Sequence, residues 1–225
     1  MKKSILWVIG LLFSISLAIT SCDETDGAVD PYFEWDERNQ AYIDSIARVA
    51  LANPDEWKVI HTYKFIPADT AAMDVNDYVY CRVLEEGTGT MRPYYTDSVT
   101  THYRGKLIPL YDGSSGTFDQ SYMGQLDTQP AVPVGFGVSS VVEGWTSILQ
   151  NMVEGDRWEV YIPSDLGYGE QGKNSIPGNS TLIFDMQLVK IYTERYRKFV
   201  ENICKHRLYV AYNLCLFLYA SSYDW

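Results

Sequence analysis

From Tyr78 onward the chain alternates apolar and polar residues with a period of two. Val79, Cys81 and Val83 interleave with Tyr78, Tyr80 and Arg82; Val99, Thr101 and Tyr103 with Thr100, His102 and Arg104; Trp158, Val160 and Ile162 with Arg157, Glu159 and Tyr161. Successive side chains of a strand point to opposite faces, so this spacing predicts half-buried strands. A last segment, from Leu182 to Leu188, closes the set. One helical stripe interrupts it: Trp145, Ile148, Leu149 and Met152, opening after Gly144 and ending at Gly155. Separate strands around one short helix predict an α+β domain in which a twisted antiparallel sheet wraps around that helix. The chain has 225 residues and is 46% hydrophobic, enough for one good core with additions or for two small domains.

Residues 166 to 178 read LGYGEQGKNSIPG, and Gly167, Gly169 and Gly172 fall at the G-x-G-x-x-G spacing of a dinucleotide-binding turn. That fingerprint needs a helix opening on its last glycine, whose N-terminus holds the pyrophosphate. The run from Lys173 to Ser180 is made of turn formers, and its proline and glycine would break such a helix. The glycines therefore belong to a loop, and no nucleotide cofactor is expected.

The N-terminus has the three parts of a secretory signal: Lys2-Lys3, an apolar run from Ile5 to Ile19, and small residues before Cys22. The run is too short for a membrane span. Ile19-Thr20-Ser21-Cys22 resembles the lipobox of bacterial lipoproteins, which implies acylation of Cys22 after removal of residues 1–21; an ordinary signal with an incidental Cys22 is the alternative. A net charge of -11 argues against nucleic-acid partners, which require clustered Lys and Arg. Cys81, Cys204 and Cys215 show no C-x-x-C spacing and His61, His102 and His206 are scattered, so neither a disulfide framework nor a metal site is expected. Between Asp30-Pro31 and Asn53-Pro54, the residues Ile43, Ile46, Ala47 and Ala50 form one apolar helical face. That helix either packs on the main domain or meets a partner.

Thr101-His102-Tyr103-Arg104-Gly105, Phe118-Asp119, Val141-Val142-Glu143-Gly144-Trp145, Gly167-Tyr168-Gly169, Ile176-Pro177 and Thr181-Leu182-Ile183-Phe184-Asp185 follow one another in this order. Together they resemble the FKBP-type peptidyl-prolyl isomerases, over about Tyr78 to Tyr192. The resemblance implies a proline pocket with Trp145 as floor and Tyr103, Phe118 and Phe184 as aromatic walls. Asp119 would stand beside the substrate carbonyl, and Val141 and Val142 at the rim. The Tyr168 hydroxyl and the Val142 N–H would be donors to ligand carbonyls, and Tyr168 and Ile176 would face the proline from the glycine-rich flap. Val132 stands where the family often has a further aromatic wall, which would make the pocket shallower. The segment between Tyr103 and Phe118 is longer than usual, and Lys173 and Ser175 depart from the common flap residues.

The resemblance predicts a cofactor-free isomerase of Xaa-Pro bonds, whose partners are proline-containing polypeptides and macrolide-type ligands. It is expected in the cell envelope of a Gram-negative bacterium, lipid-anchored to the outer membrane through Cys22, with exported proteins as its substrates. A proline-peptide binding or chaperone module with weak catalysis, and a lipoprotein scaffold acting through its extensions, are the competing readings. The expected organisation is a signal at 1–21, an acidic tether and helical extension at 22–77, the isomerase domain at 78–192, and a tail at 193–225. In the tail Tyr196, Phe199, Val200 and Ile203 continue a helical stripe.

Overall fold

A computed structural model describes residues 30–64, 74–114, 116–126 and 131–193. The expected signal at 1–21, Cys22 and all of the tail beyond Thr193 lie outside the described residues. Among the described residues, two α-helices and seven strands follow in chain order: α1 (Trp35–Ala52), β1 (Trp57–His61), β2 (Tyr78–Glu85), β3 (Ser98–Lys106), β4 (Thr117–Gln120), β5 (Val134–Gly137), α2 (Glu143–Leu149), β6 (Arg157–Ile162) and β7 (Leu182–Tyr192). The strands form one sheet, ordered β1-β2-β6-β7-β3-β4, with β5 also pairing with β3. Every pairing is antiparallel.

The alternation sorts side chains onto the two faces. Val79, Cys81, Trp158, Val160, Ile162, Leu182, Phe184, Met186 and Leu188 share one core with Trp145, Ile148, Leu149 and Met152 of α2 and the turn after it. Tyr80 and Tyr161 instead pack with Ile43, Ala47 and Ala50 of α1. The sheet thus carries α2 on one face and α1 on the other, and β2 is buried on both. Cys81 is fully buried, and burial pushes its thiol well above the ordinary cysteine range, so it acts as a small core residue.

The sheet does not stop at the Tyr78 boundary expected from the alternation. β1 pairs with β2 along its length, from Trp57↔Arg82 to His61↔Tyr78. Trp57-Lys58-Val59-Ile60-His61 lacks a clean alternation because four of its five residues are half-buried on one side or the other. Just beyond β1 the chain reaches α2: the Tyr63 N–H donates to Ser147 Oγ at 2.9 Å, and Lys64 pairs with Glu143. α1 starts at Trp35, four residues after Pro31, because Pro31 to Glu34 form a turn that ends with Glu34 in the left-handed region at φ 49°.

Candidate functional site

Four strands and α2 bring five aromatic rings together. Trp145, in the first turn of α2 and 4% exposed, is met at its ring by Tyr103 of β3, Phe136 of β5 and Phe184 of β7. The centroid distances are 5.3, 5.2 and 5.1 Å, with interplanar angles of 81°, 73° and 83°. Phe118 of β4 stands edge-on to Phe184 at 5.6 Å and 87°. Each is an edge-to-face contact, which aligns the positive rim of one ring with the negative face of the next. The register makes the approach possible: on β3, Gly105 is opposite Phe184 of β7 and Asp119 of β4. A Cβ on Gly105 would lie 2.5 Å from Phe118 and 2.7 Å from Phe184, so only glycine lets the two rings close over the strand.

These rings enclose a cleft of about 470 Å³ whose other lining residues include Asp119, Val141, Val142, Tyr168 and Lys173. Asp119 is held by two donors: Tyr103 Oη donates to Oδ2 and the Gln120 N–H to Oδ1, both at 2.9 Å. Burial, and then the bond to Asp119, push the Tyr103 phenol well above its ordinary range. The Tyr168 phenol is raised by burial and by the Asp119 charge, and so stays a neutral donor. Val142 sits at the N-cap of α2, where the backbone turns from extended to helical; its carbonyl accepts from the Thr146 N–H. A backbone N–H at such a position has no intrahelical acceptor.

The glycine-rich flap is a chain of tight turns. Residues Ser164–Leu166 and Gly169–Gln171 are 3₁₀ turns, and Lys173 and Ile176 exchange both backbone hydrogen bonds at 2.9 Å around Asn174-Ser175. Gly172 has φ 63°, and a Cβ there would come within 2.3 Å of the Ile176 carbonyl, so the hairpin requires glycine at this point. The base of the flap is tied to α1. Trp35 Nε1 donates to Ser180 Oγ at 3.1 Å, Asn179 Nδ2 to Asp36 Oδ2 at 2.9 Å, and the Thr181 N–H to Asn39 Oδ1 at 2.7 Å.

Eight of the ten expected pocket residues line this cleft: Tyr103, Phe118, Asp119, Val141, Val142, Trp145, Tyr168 and Phe184. Two do not. Val132 is 82% exposed and precedes β5, so it forms no wall. The aromatic wall on that side is Phe136, whose pairing with Val99 places it on the β3 face that carries Tyr103. Ile176 is buried in the core beneath the flap and does not line the cleft. Phe136, Ser140 and Lys173 are lining residues that the sequence did not mark as such. An aromatic residue between two glycines, in Gly135-Phe136-Gly137, was the available signal for the first. Among the described residues no group of three or more His, Cys, Asp or Glu could hold a metal.

Residues 89–189 match the family model described as FKBP-type peptidyl-prolyl cis-trans isomerase. The FKBP-type 22 kDa peptidyl-prolyl cis-trans isomerase of Escherichia coli (strain K12) is 41% identical over 111 residues, covering 49% of this chain and 48% of that protein. The peptidyl-prolyl cis-trans isomerase Mip of Coxiella burnetii is 40% identical over 112 residues, covering 49% and 43%. The chain therefore spans about half the length, or less, of the curated relatives it matches. A solved peptidyl-prolyl cis-trans isomerase from Pseudomonas syringae pv. tomato is similar with a TM-score of 0.49 at 28% identity, over 74% of this chain and 100% of that one. The matched segment carries every lining residue of the aromatic cleft, and over that segment the chain is similar to the FKBP-type peptidyl-prolyl cis-trans isomerases.

Proposed function

We propose that the chain catalyses cis-trans rotation about Xaa-Pro bonds of polypeptides, in the cleft floored by Trp145. The observation that carries this reading is the box of perpendicular rings around Trp145, closed on one side by a carboxylate that two hydrogen bonds hold in place. Rotation about the amide has a barrier of about 18–20 kcal/mol because resonance keeps the bond planar, and the uncatalysed process takes tens to hundreds of seconds. At the twisted transition state the resonance is lost and the carbonyl oxygen gives up part of its negative charge. An apolar pocket suits that less polar amide better than water does, so it binds the transition state in preference to the ground state. No proton leaves the substrate, and no nucleophile is required.

In this mechanism the proline ring rests on Trp145, between Tyr103, Phe118 and Phe184, with Phe136 completing the box. Val141 and Val142 shape the rim. The Tyr168 hydroxyl and the Val142 N–H hold the flanking carbonyls, which fixes the peptide as a turn. Asp119 acts through its charge beside the substrate carbonyl. Ile176 stiffens the flap from below. The competing reading, a catalytically weak binding module, is motivated by Val132 and by the longer segment before Phe118; the Phe136 ring beside Trp145 favours the catalytic reading. Macrolide-type ligands would compete for the same cleft.

The proposal extends to the cell envelope of a Gram-negative bacterium, with exported proteins as substrates and an acylated Cys22 as outer-membrane anchor. The signal-like residues 1–21 support it, as does the name of a relative in Legionella longbeachae, Outer membrane protein MIP, 38% identical over 111 residues. Among the described residues no helix is long and apolar enough to cross a membrane. Labelled palmitate incorporated by the wild-type chain and lost in Cys22→Ala would support the anchor; equal labelling would refute it. Acceleration of a proline peptide tests the catalytic reading.

A further inference from the structure

Among the described residues, Lys173 is the only Lys or Arg that lines the cleft, and Asp119 the only carboxylate. Their charges are treated differently. Asp119 accepts from Tyr103 and from the Gln120 N–H, whereas Lys173 forms no ion pair among the described residues. Its Nζ lies 5.2 Å from the centroid of the Tyr168 ring, over a residue that itself lines the cleft. The backbone beneath it is fixed. The Lys173–Ile176 hairpin exchanges both of its hydrogen bonds, Gly172 enters it with a positive φ, and Asn174 turns it with φ 52°. Cation, ring and hairpin thus place a positive charge on the flap side of a largely aromatic cleft, on a chain whose net charge is -11.

We infer that Lys173 is a specificity-determining residue which selects substrates carrying an acidic side chain next to the proline. The inference rests on the catalytic reading of the cleft. Lys173, Tyr168 and the Trp145 floor line one cleft, so in this reading a residue flanking a proline held on that floor passes the flap beside the Lys173 ammonium. A Glu or Asp there gains an attraction of the exposed ion-pair kind, worth about three- to fivefold in binding and weakened by salt. A Lys at the same place is repelled. An exposed cation does not move the apolar contacts of the proline itself, so its signature is a ratio between peptides and not a rate.

The test compares three peptides that differ only in Glu, Gln or Lys beside the proline, placed on either side of it in turn. The full chain in mild detergent and its Lys173→Gln and Lys173→Glu variants are assayed for kcat/KM at low salt and at about 0.5 M salt, where the screening length is about half that of physiological buffer. The expected result is a Glu-to-Gln ratio of about three to five in the wild type, near one in Lys173→Gln, inverted in Lys173→Glu, and reduced at high salt. A ratio that is the same in the wild type and in Lys173→Glu overturns the assignment. If no peptide is accelerated, the isomerase reading fails; the same ratio is then read from peptide binding, by tryptophan fluorescence. Ratios that follow the charge at residue 173 there support the assignment, and ratios that ignore it overturn it.

Discussion

At Gly105 the absent side chain sets the spacing of two pocket walls, since a Cβ would press on Phe118 and Phe184 at once. Gly105→Ala is therefore expected to push both rings outward. Overpacking of this kind costs about 1–3 kcal/mol of stability, and displacing the walls should lower kcat/KM by about tenfold, equivalent to 1.4 kcal/mol of transition-state binding. Thermal melting and the isomerisation assay together check this, and an unchanged kcat/KM would show that the rings do not shape the substrate site. The same residue scale explains what the sequence hid. Tyr103, Phe118, Asp119, Trp145, Tyr168 and Phe184 were legible because they stand in an ordered set of short motifs. Phe136 was not, because one aromatic residue between two glycines in a four-residue strand shows no period. Ile176 reads as a flap residue facing the ligand, yet the hairpin turns it into the core.

Among the elements, β6 and β7 are joined by charge as well as by backbone pairing. Arg157 Nε and Nη2 donate to both oxygens of Asp185 at 2.9 and 2.8 Å, and Tyr122 Oη donates to Oδ2 at 2.9 Å. Burial raises the Asp185 pKa, but the bonds from Arg157 and Tyr122 outweigh it and hold the carboxyl below its ordinary value. A depressed folded-state pKa adds stability above the unfolded value of about 3.9, and that contribution fades as pH falls through the folded-state value. Asp185→Asn should thus lower stability by about 1–2 kcal/mol at neutral pH, with the difference from wild type shrinking below about pH 4. Melting curves between pH 3 and 7 measure it; a gap that is constant over the range would mean that Asp185 does not act through its charge. The long elements β2, β3, β6, β7, α1 and α2 were all legible from their periodicity. β1, β4 and β5 have five, four and four residues, too few for a period to declare itself, and β5 holds two glycines.

For the whole molecule, α1 and β1 complete the fold, so the expected division at Tyr78 cuts through one sheet. β1 covers the outer edge of β2, α1 covers Tyr80 and Tyr161, and Asn39, 2% exposed, bonds both the Trp35 carbonyl and the Thr181 N–H at the flap base. A fragment beginning at Tyr78 would expose an unpaired strand edge and two large aromatic side chains. Against a total stability of about 5–15 kcal/mol for a domain, it should melt well below a fragment beginning at Asp30, or aggregate. Equal melting temperatures would show that residues 30–77 are dispensable. The central claim is that the aromatic cleft catalyses prolyl rotation, and its most direct test is kcat/KM for cis-trans isomerisation of a Leu-Pro peptide. The wild-type chain should accelerate it, and Phe118→Ala and Asp119→Val, each folded by circular dichroism, should both fall by about tenfold or more, at least 1.4 kcal/mol of lost transition-state stabilisation. A folded wild-type chain that accelerates no proline peptide, or variants as active as wild type, would contradict the account.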